Sequence, residues 1–96
     1  MPAASDGASA GTSALSSARR GFAGVIVEVR PSAAAGALDG AEIERRLLEM
    51  GFVEGAPVEL LHEGLFGRDP IAVKLADRTV ALRRREARAV IVRAAA

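Results

Sequence analysis

Only one stretch of this 96-residue chain carries a helical period, and the apolar residues around it alternate in twos. Ile43, Leu47 and Met50 recur at i, i+4 and i+7, which is one apolar stripe on a helix. Asp39 and Glu42 have the spacing of a capping box at its start. Gly51 stands where a helix ends in the left-handed conformation, with Phe52 placed to fold back on the last turn. Glu42 with Arg46, and Arg45 with Glu49, are expected i,i+4 ion pairs on the wet side. One short helix cannot build a helical core alone. The rest of the fold must be sheet.

The flanking segments bear that out at the level of pattern. Gly24 to Arg30 is a β-branched run with Val25, Val27 and Val29 on one face, expected to be buried, and Pro31 stops it. Ser32 to Leu38 is rich in alanine and glycine and reads as a loop, with a helical turn as the alternative that its alanines allow. After the helix, Val58, Leu60 and His62 alternate with Glu59, Leu61 and Glu63. Gly64 to Pro70 is a loop bounded by turn formers. Ile71, Val73 and Leu75 form the inward face of the next strand, and Asp77-Arg78 is the expected hairpin turn into Thr79–Leu82. Arg83 to Arg88 suits one helical turn, and Ala89–Val92 closes the sheet. Five short strands in so few residues suggest a small closed barrel, which removes exposed sheet edges. Residues 1–18, low in large apolar side chains except Leu15, read as a disordered tail, and 94–96 as a fraying end. The expected domain is 19–93.

Composition narrows the function. The chain has no cysteine, so disulfides, thiolate metal sites and cysteine nucleophiles are excluded. Its formal net charge is +1, from 13 Lys and Arg against 12 Asp and Glu, without the basic excess of a nucleic-acid binder. The N-terminal segment has neither the basic start nor the apolar stretch of a secretory signal, and no segment has the ~20 apolar residues of a membrane span. A cytoplasmic protein without direct membrane insertion is expected. Gly51, Gly55, Gly64 and Gly67 fall at element ends, no glycine run has phosphate-loop spacing, and no ordered serine has a base placed beside it. The expectation is a protein that is not an enzyme, with no tightly bound cofactor.

Three blocks then carry a family resemblance. Ile43–Gly55 is similar to the RL-x-x-(L/M)-G-(I/F)-x-x-G element of FeoA domains. Leu65-Phe66-Gly67-Arg68-Asp69-Pro70-Ile71 resembles their P-L-G-D-P-I loop, with one inserted residue. Val80–Val92 resembles their (I/V)-A-L-R-x-x-(D/E)-A-x-x-I-x-V ending. The resemblance implies a mainly β fold, an SH3-like five-stranded barrel with one inserted short α-helix. It also implies a non-enzymatic accessory role in bacterial ferrous iron uptake. The implied partner is the cytosolic GTPase domain of FeoB, the membrane transporter for ferrous iron. FeoA-like barrels also end iron-dependent repressors of the DtxR type. No winged-helix or dimerisation segment stands before the module in this sequence, so the free-standing accessory is the expected form. A metal-sensing module or a weak carrier of Fe2+ or another transition metal is the alternative.

Candidate contact residues follow from exposure logic. Leu65 and Phe66 are two large apolar residues at a loop tip, suited either to capping the barrel or to gripping a partner. Met50 and Phe52 at the helix end are expected to extend that patch, and Arg83, Arg84 and Arg85 to form an electrostatic rim. The chain lacks the several aromatics of a proline-binding groove, so aliphatic contact and backbone pairing are the expected grip. His62, with Glu63 and Asp69, is the one conceivable loose metal site; no tight site is expected, since such sites need several convergent ligands.

Overall fold

The computed structural model describes residues 11–30 and 37–95. Its six strands are β1 (Thr12–Ala14), β2 (Ala23–Val29), β3 (Pro57–Phe66), β4 (Asp69–Leu75), β5 (Arg78–Leu82) and β6 (Val90–Ala94). A 3-10 turn (Leu15–Ser17) follows β1, helix α1 (Ala37–Met50) follows β2, and a single turn α2 (Arg84–Ala87) joins β5 to β6. The strands form one antiparallel sheet in the order β1-β6-β2-β3-β4-β5.

The core is built from the alternation of β3, β4 and β6. Val58, Leu60, Ile71, Val73, Leu75, Val90 and Val92 are all buried, together with Ile43 and Leu47 from the helix stripe. Helix α1 ends as its sequence indicates. Gly51 takes φ +106°, its N–H donates to the Leu48 carbonyl, and the Phe52 N–H donates to the Leu47 carbonyl. That double bond pattern is a Schellman ending, and it drives the Phe52 ring into the core at 0% exposure.

Four expectations are corrected. The helix begins at Ala37, so Asp39 lies inside it, and Glu42 accepts a two-oxygen contact from Arg45 at 2.7 Å. Arg45 also reaches Glu49 at 3.5 Å, while Arg46 crosses to Glu86 of α2 at 3.3 Å instead of pairing with Glu42. The hydrogen bond and charge of Arg45 hold the Glu42 carboxyl below its ordinary pKa. On β2 Gly24 and Ile26 face inward, with Val25 and Val27 half-buried, so the expected face is the wrong one there; a register shift between Ile26 and Glu28 then brings Val29 against the core. The β4–β5 turn is Ala76-Asp77, with Ala76 in the left-handed region at φ 58°, and Arg78 is already paired with Leu75. The proposed loop 32–38 lies outside the described residues except for Ala37 and Leu38, which are helical.

The largest correction concerns the N-terminus. β1 pairs with β6, Thr12 opposite Arg93 and Ala14 opposite Ile91, and Leu15 is fully buried. Residues 12–18 therefore belong to the fold, and the sheet has six strands where five were expected; residues 1–10 of the expected tail lie outside the described residues. At the other end, Ala94 pairs with Gly24 and the Ala95 N–H donates to Ala23, so pairing continues past the expected limit at 93. Leu15→Ala tests how much the first strand matters. Deleting a fully buried leucine side chain costs about 2–5 kcal/mol. A domain of this size has only ~3–5 kcal/mol in total. Thermal melting should show a midpoint lowered by at least about 8 °C, whereas a tail residue would leave the midpoint unchanged.

Candidate interaction site at the β3–β4 hairpin tip

The tip is shaped by backbone geometry first. A register shift between Glu63 and Phe66 bends the end of β3, and the chain then turns through Gly67 and Arg68 at φ 68° and 60°. Positive φ at both central residues matches the twist of a two-residue hairpin, and Phe66 pairs directly with Asp69 across it. The Asp69–Pro70 peptide is cis. At the bend, a Cβ on Gly64 would sit 2.1 Å from the Asp69 carbonyl oxygen, so the two chains approach closer than any side chain allows.

Charged groups then pin this tip to distant parts of the chain. Arg84 opens α2 with its side chain only 19% exposed. Its Nε donates to the Arg68 carbonyl at 2.7 Å, and its Nη1 donates to the Ser16 and Ala18 carbonyls at 2.5 and 3.3 Å. Its backbone N–H donates to Asp69 Oδ1 at 2.9 Å. Nη2 is buried without a hydrogen bond, 3.7 Å from Glu63 Oε2. Glu63 accepts the Arg20 N–H at 2.8 Å and lies 3.6 Å from Arg68 Nε. Arg19, Arg20, Glu63, Gly64 and Arg68 enclose an open polar cleft of about 460 Å³ beside this network. Leu65, next to the cleft in sequence, is 94% exposed.

A family model for the FeoA domain matches residues 14–94. The chain belongs to the FeoA family. Membership implies an accessory role in ferrous iron transport. Among solved structures, FeoA of Stenotrophomonas maltophilia complexed with zinc, described as an SH3 domain protein, is 33% identical. It aligns at TM-score 0.67 over 81% of this chain and 86% of its own. FeoA of Chlorobium tepidum is 29% identical at TM-score 0.68, over 85% of this chain and 70% of its own. A manganese-dependent transcriptional repressor shares the fold at 19% identity and TM-score 0.70, and this chain spans 42% of its length. No curated protein matches the sequence significantly.

Within this FeoA fold, the residues singled out in the sequence separate into different roles. Phe52 is core and cannot touch a partner, which corrects its placement in a contact patch. Met50 is half-buried against the core, and its carbonyl accepts from Arg78. It therefore sits by the Leu75–Arg78 end of β4, six residues from Asp69, or about 20 Å from the hairpin tip. Met50 and Leu65 do not form one patch. The Phe66 side chain lies outside the described residues. Arg83 and Arg85 are exposed, whereas Arg84 points inward as a strut and does not belong to a rim. His62 is exposed because a register shift after Leu60 turns it off the inward face. Among the described residues, no group of three or more His, Cys, Asp or Glu is placed to hold a metal ion. Also among them, no helix is long and apolar enough to cross a membrane.

Sequence reasoning missed the cleft. Its members are scattered over Arg19, Arg20, Glu63, Gly64 and Arg68, and only the doublet Arg19-Arg20 beside a presumed tail hinted at it.

Two substitutions test the architecture. Arg84→Lys keeps the charge but replaces a planar fork by a single ammonium, which cannot reach the carbonyls on both sides. Leaving such acceptors unpaired costs about 1–3 kcal/mol. Denaturation should show that loss, and amide exchange should accelerate at Ala18 and Arg20; an unchanged midpoint would refute the strut. Gly64→Ala should displace Asp69, seen as large amide shifts at Asp69 and Arg84 in heteronuclear NMR spectra, with the helix α1 signals unmoved.

Proposed function

We propose that this chain is a non-enzymatic accessory of bacterial ferrous iron uptake that docks in the cytoplasm onto the cytosolic GTPase domain of a FeoB transporter, with Leu65 as its apolar anchor. The observation that carries the reading is the combination of exposure and rigidity at Leu65. Its side chain is 94% exposed, yet the tip that presents it is fixed by Arg84 and Glu63. A preorganised apolar residue loses little conformational entropy on binding, which is how such anchors come to dominate an interface. Arg83 and Arg85 are exposed on the adjoining turn and suit an electrostatic rim that speeds encounter. Phe66 stays a candidate from sequence alone.

A weak association with Fe2+ or another transition metal is the second reading. The zinc complex of the Stenotrophomonas relative favours it. On this chain it would centre on the exposed His62 without help from Glu63 and Asp69, which are already engaged by Arg20, Arg68 and Arg84. Loss of measured Fe2+ binding in His62→Ala would support it.

Calorimetric titration with the soluble GTPase domain of FeoB, with and without ferrous iron under anaerobic conditions, separates the readings. Saturable binding independent of iron is expected. Leu65→Ser should weaken it at least about tenfold, as a central anchor does. The melting temperature should shift by no more than about 4 °C, because surface changes cost under ~0.5 kcal/mol. Full binding by the variant sinks Leu65 as the anchor, and iron binding without partner binding sinks the docking reading.

A further inference from the structure

The polar cleft beside Leu65 has an unbalanced charge. Arg19, Arg20, Arg68 and Arg84 gather there around two carboxylates, Glu63 and Asp69, leaving a local excess of two positive charges in a chain of formal net charge +1. The two carboxylates are already in use inside the protein. Glu63 takes the Arg20 N–H and faces Arg68 and Arg84, and Asp69 takes the Arg84 N–H. The side chains of Arg19 and Arg20 make no hydrogen bond or ion pair among the described residues, and both residues are exposed on the rim of the cleft. Arg68 is held by its left-handed turn so that its guanidinium meets Glu63 only at 3.6 Å, longer than a hydrogen bond. Three guanidinium groups thus have donor capacity left over, on a scaffold whose backbone is fixed.

We infer that this cleft binds an acidic segment of a protein, with glutamate or aspartate side chains meeting Arg19, Arg20 and Arg68 and an apolar side chain of the same segment packing on Leu65. The inference rests on the docking reading for its biological setting and names the chemistry of the partner surface. Guanidinium groups pair with carboxylates in a two-pronged geometry, which suits separate acidic side chains along an extended chain. Glu63 at the cleft floor disfavours a compact, doubly charged phosphate sunk among the arginines, whereas carboxylates at the rim can keep clear of it. Nucleic acid is the weaker fit, since the chain has no Trp or Tyr for base stacking. A membrane is also the weaker fit, since the basic groups line a concavity and Leu65 is the one fully presented large apolar residue among those described.

The test needs no transporter. The isotope-labelled full chain is titrated with a synthetic peptide of alternating glutamate and leucine, and amide shifts are followed by NMR. Shifts are expected at Arg19, Arg20, Gly64, Leu65 and Gly67, fading as salt is raised. Arg19→Gln combined with Arg20→Gln should weaken binding about threefold to tenfold, as the loss of two partly exposed charge pairs implies. Arg30→Gln with Arg45→Gln removes the same charge elsewhere and should leave it unchanged. Absence of shifts at millimolar peptide, shifts clustered away from the cleft, or equal loss in both charge variants would overturn the inference. Preferential binding to phosphatidylglycerol vesicles over the peptide would overturn it in favour of a membrane surface. The peptide result stands apart from the FeoB titration: a cleft that binds the peptide in a protein that ignores the GTPase domain keeps the acidic-segment chemistry and rejects the partner.

Discussion

A single guanidinium, that of Arg84, connects parts of this chain that the sheet alone does not join. β1 and β5 are the two outer strands of the sheet, and no ladder runs between them among the described residues. Arg84 lies two residues past β5 and donates to the carbonyls of Ser16 and Ala18, two and four residues past β1. Arg84 therefore bridges two edges that no backbone ladder joins among the described residues. Those carbonyls belong to a 3-10 turn and the chain leaving it, segments whose acceptors would otherwise need water or another strand. Leu15 packs in the same place, so the apolar and polar parts of the closure support each other.

The same guanidinium sets the shape of the hairpin tip. Arg84 Nε donates to the Arg68 carbonyl, which emerges from a left-handed turn, and the Arg84 backbone N–H donates to Asp69 Oδ1. A non-glycine residue at positive φ costs roughly 1–2 kcal/mol and persists only where its surroundings require it. At Arg68 the requirement is visible: the carbonyl is aimed at Arg84 and the side chain at Glu63. Gly64 contributes by absence, since only a residue without Cβ lets β3 approach Asp69 so closely. The result is an apolar side chain, Leu65, held out by a backbone with little freedom to collapse around it.

Much of this fold was legible in the sequence, and the limits have physical causes. α1 and β4 were read from period alone because Ile43 and Leu47, and Ile71, Val73 and Leu75, keep their period without interruption. The faces of β2 and β3 are only partly legible: in β2 Val25, Ile26 and Val27 are all apolar, so period does not choose between them, and in β3 a bulge after Leu60 inverts the alternation without a compositional mark. β1 was invisible: Thr12-Ser13-Ala14 has no apolar alternation, and it is a strand only because β6 offers it an edge. The helix start was misplaced because Asp39 carries an N-cap signal that here falls two residues inside the helix. Phe52 shows a different limit. Its fold-back on the helix was expected from Gly51, yet that same motion buries it, so it could not also be a contact residue.

The arginines mark the deepest limit on reading function from sequence here. Arg83, Arg84 and Arg85 look equivalent in the chain, but helical geometry sends neighbouring side chains in different directions, and only the middle one meets acceptors. The reverse holds for the Arg19-Arg20 doublet and Arg68, which are far apart in sequence and converge on one cleft where the Arg20 N–H donates to the Glu63 carboxylate. A near-neutral total charge conceals both facts, because it averages inward charges that are already paired with outward ones that are not. What a partner meets is the unpaired remainder. That remainder is decided by a few hydrogen bonds at Glu63, Asp69 and Arg84, so the interaction chemistry of the surface is set by the same contacts that close the fold.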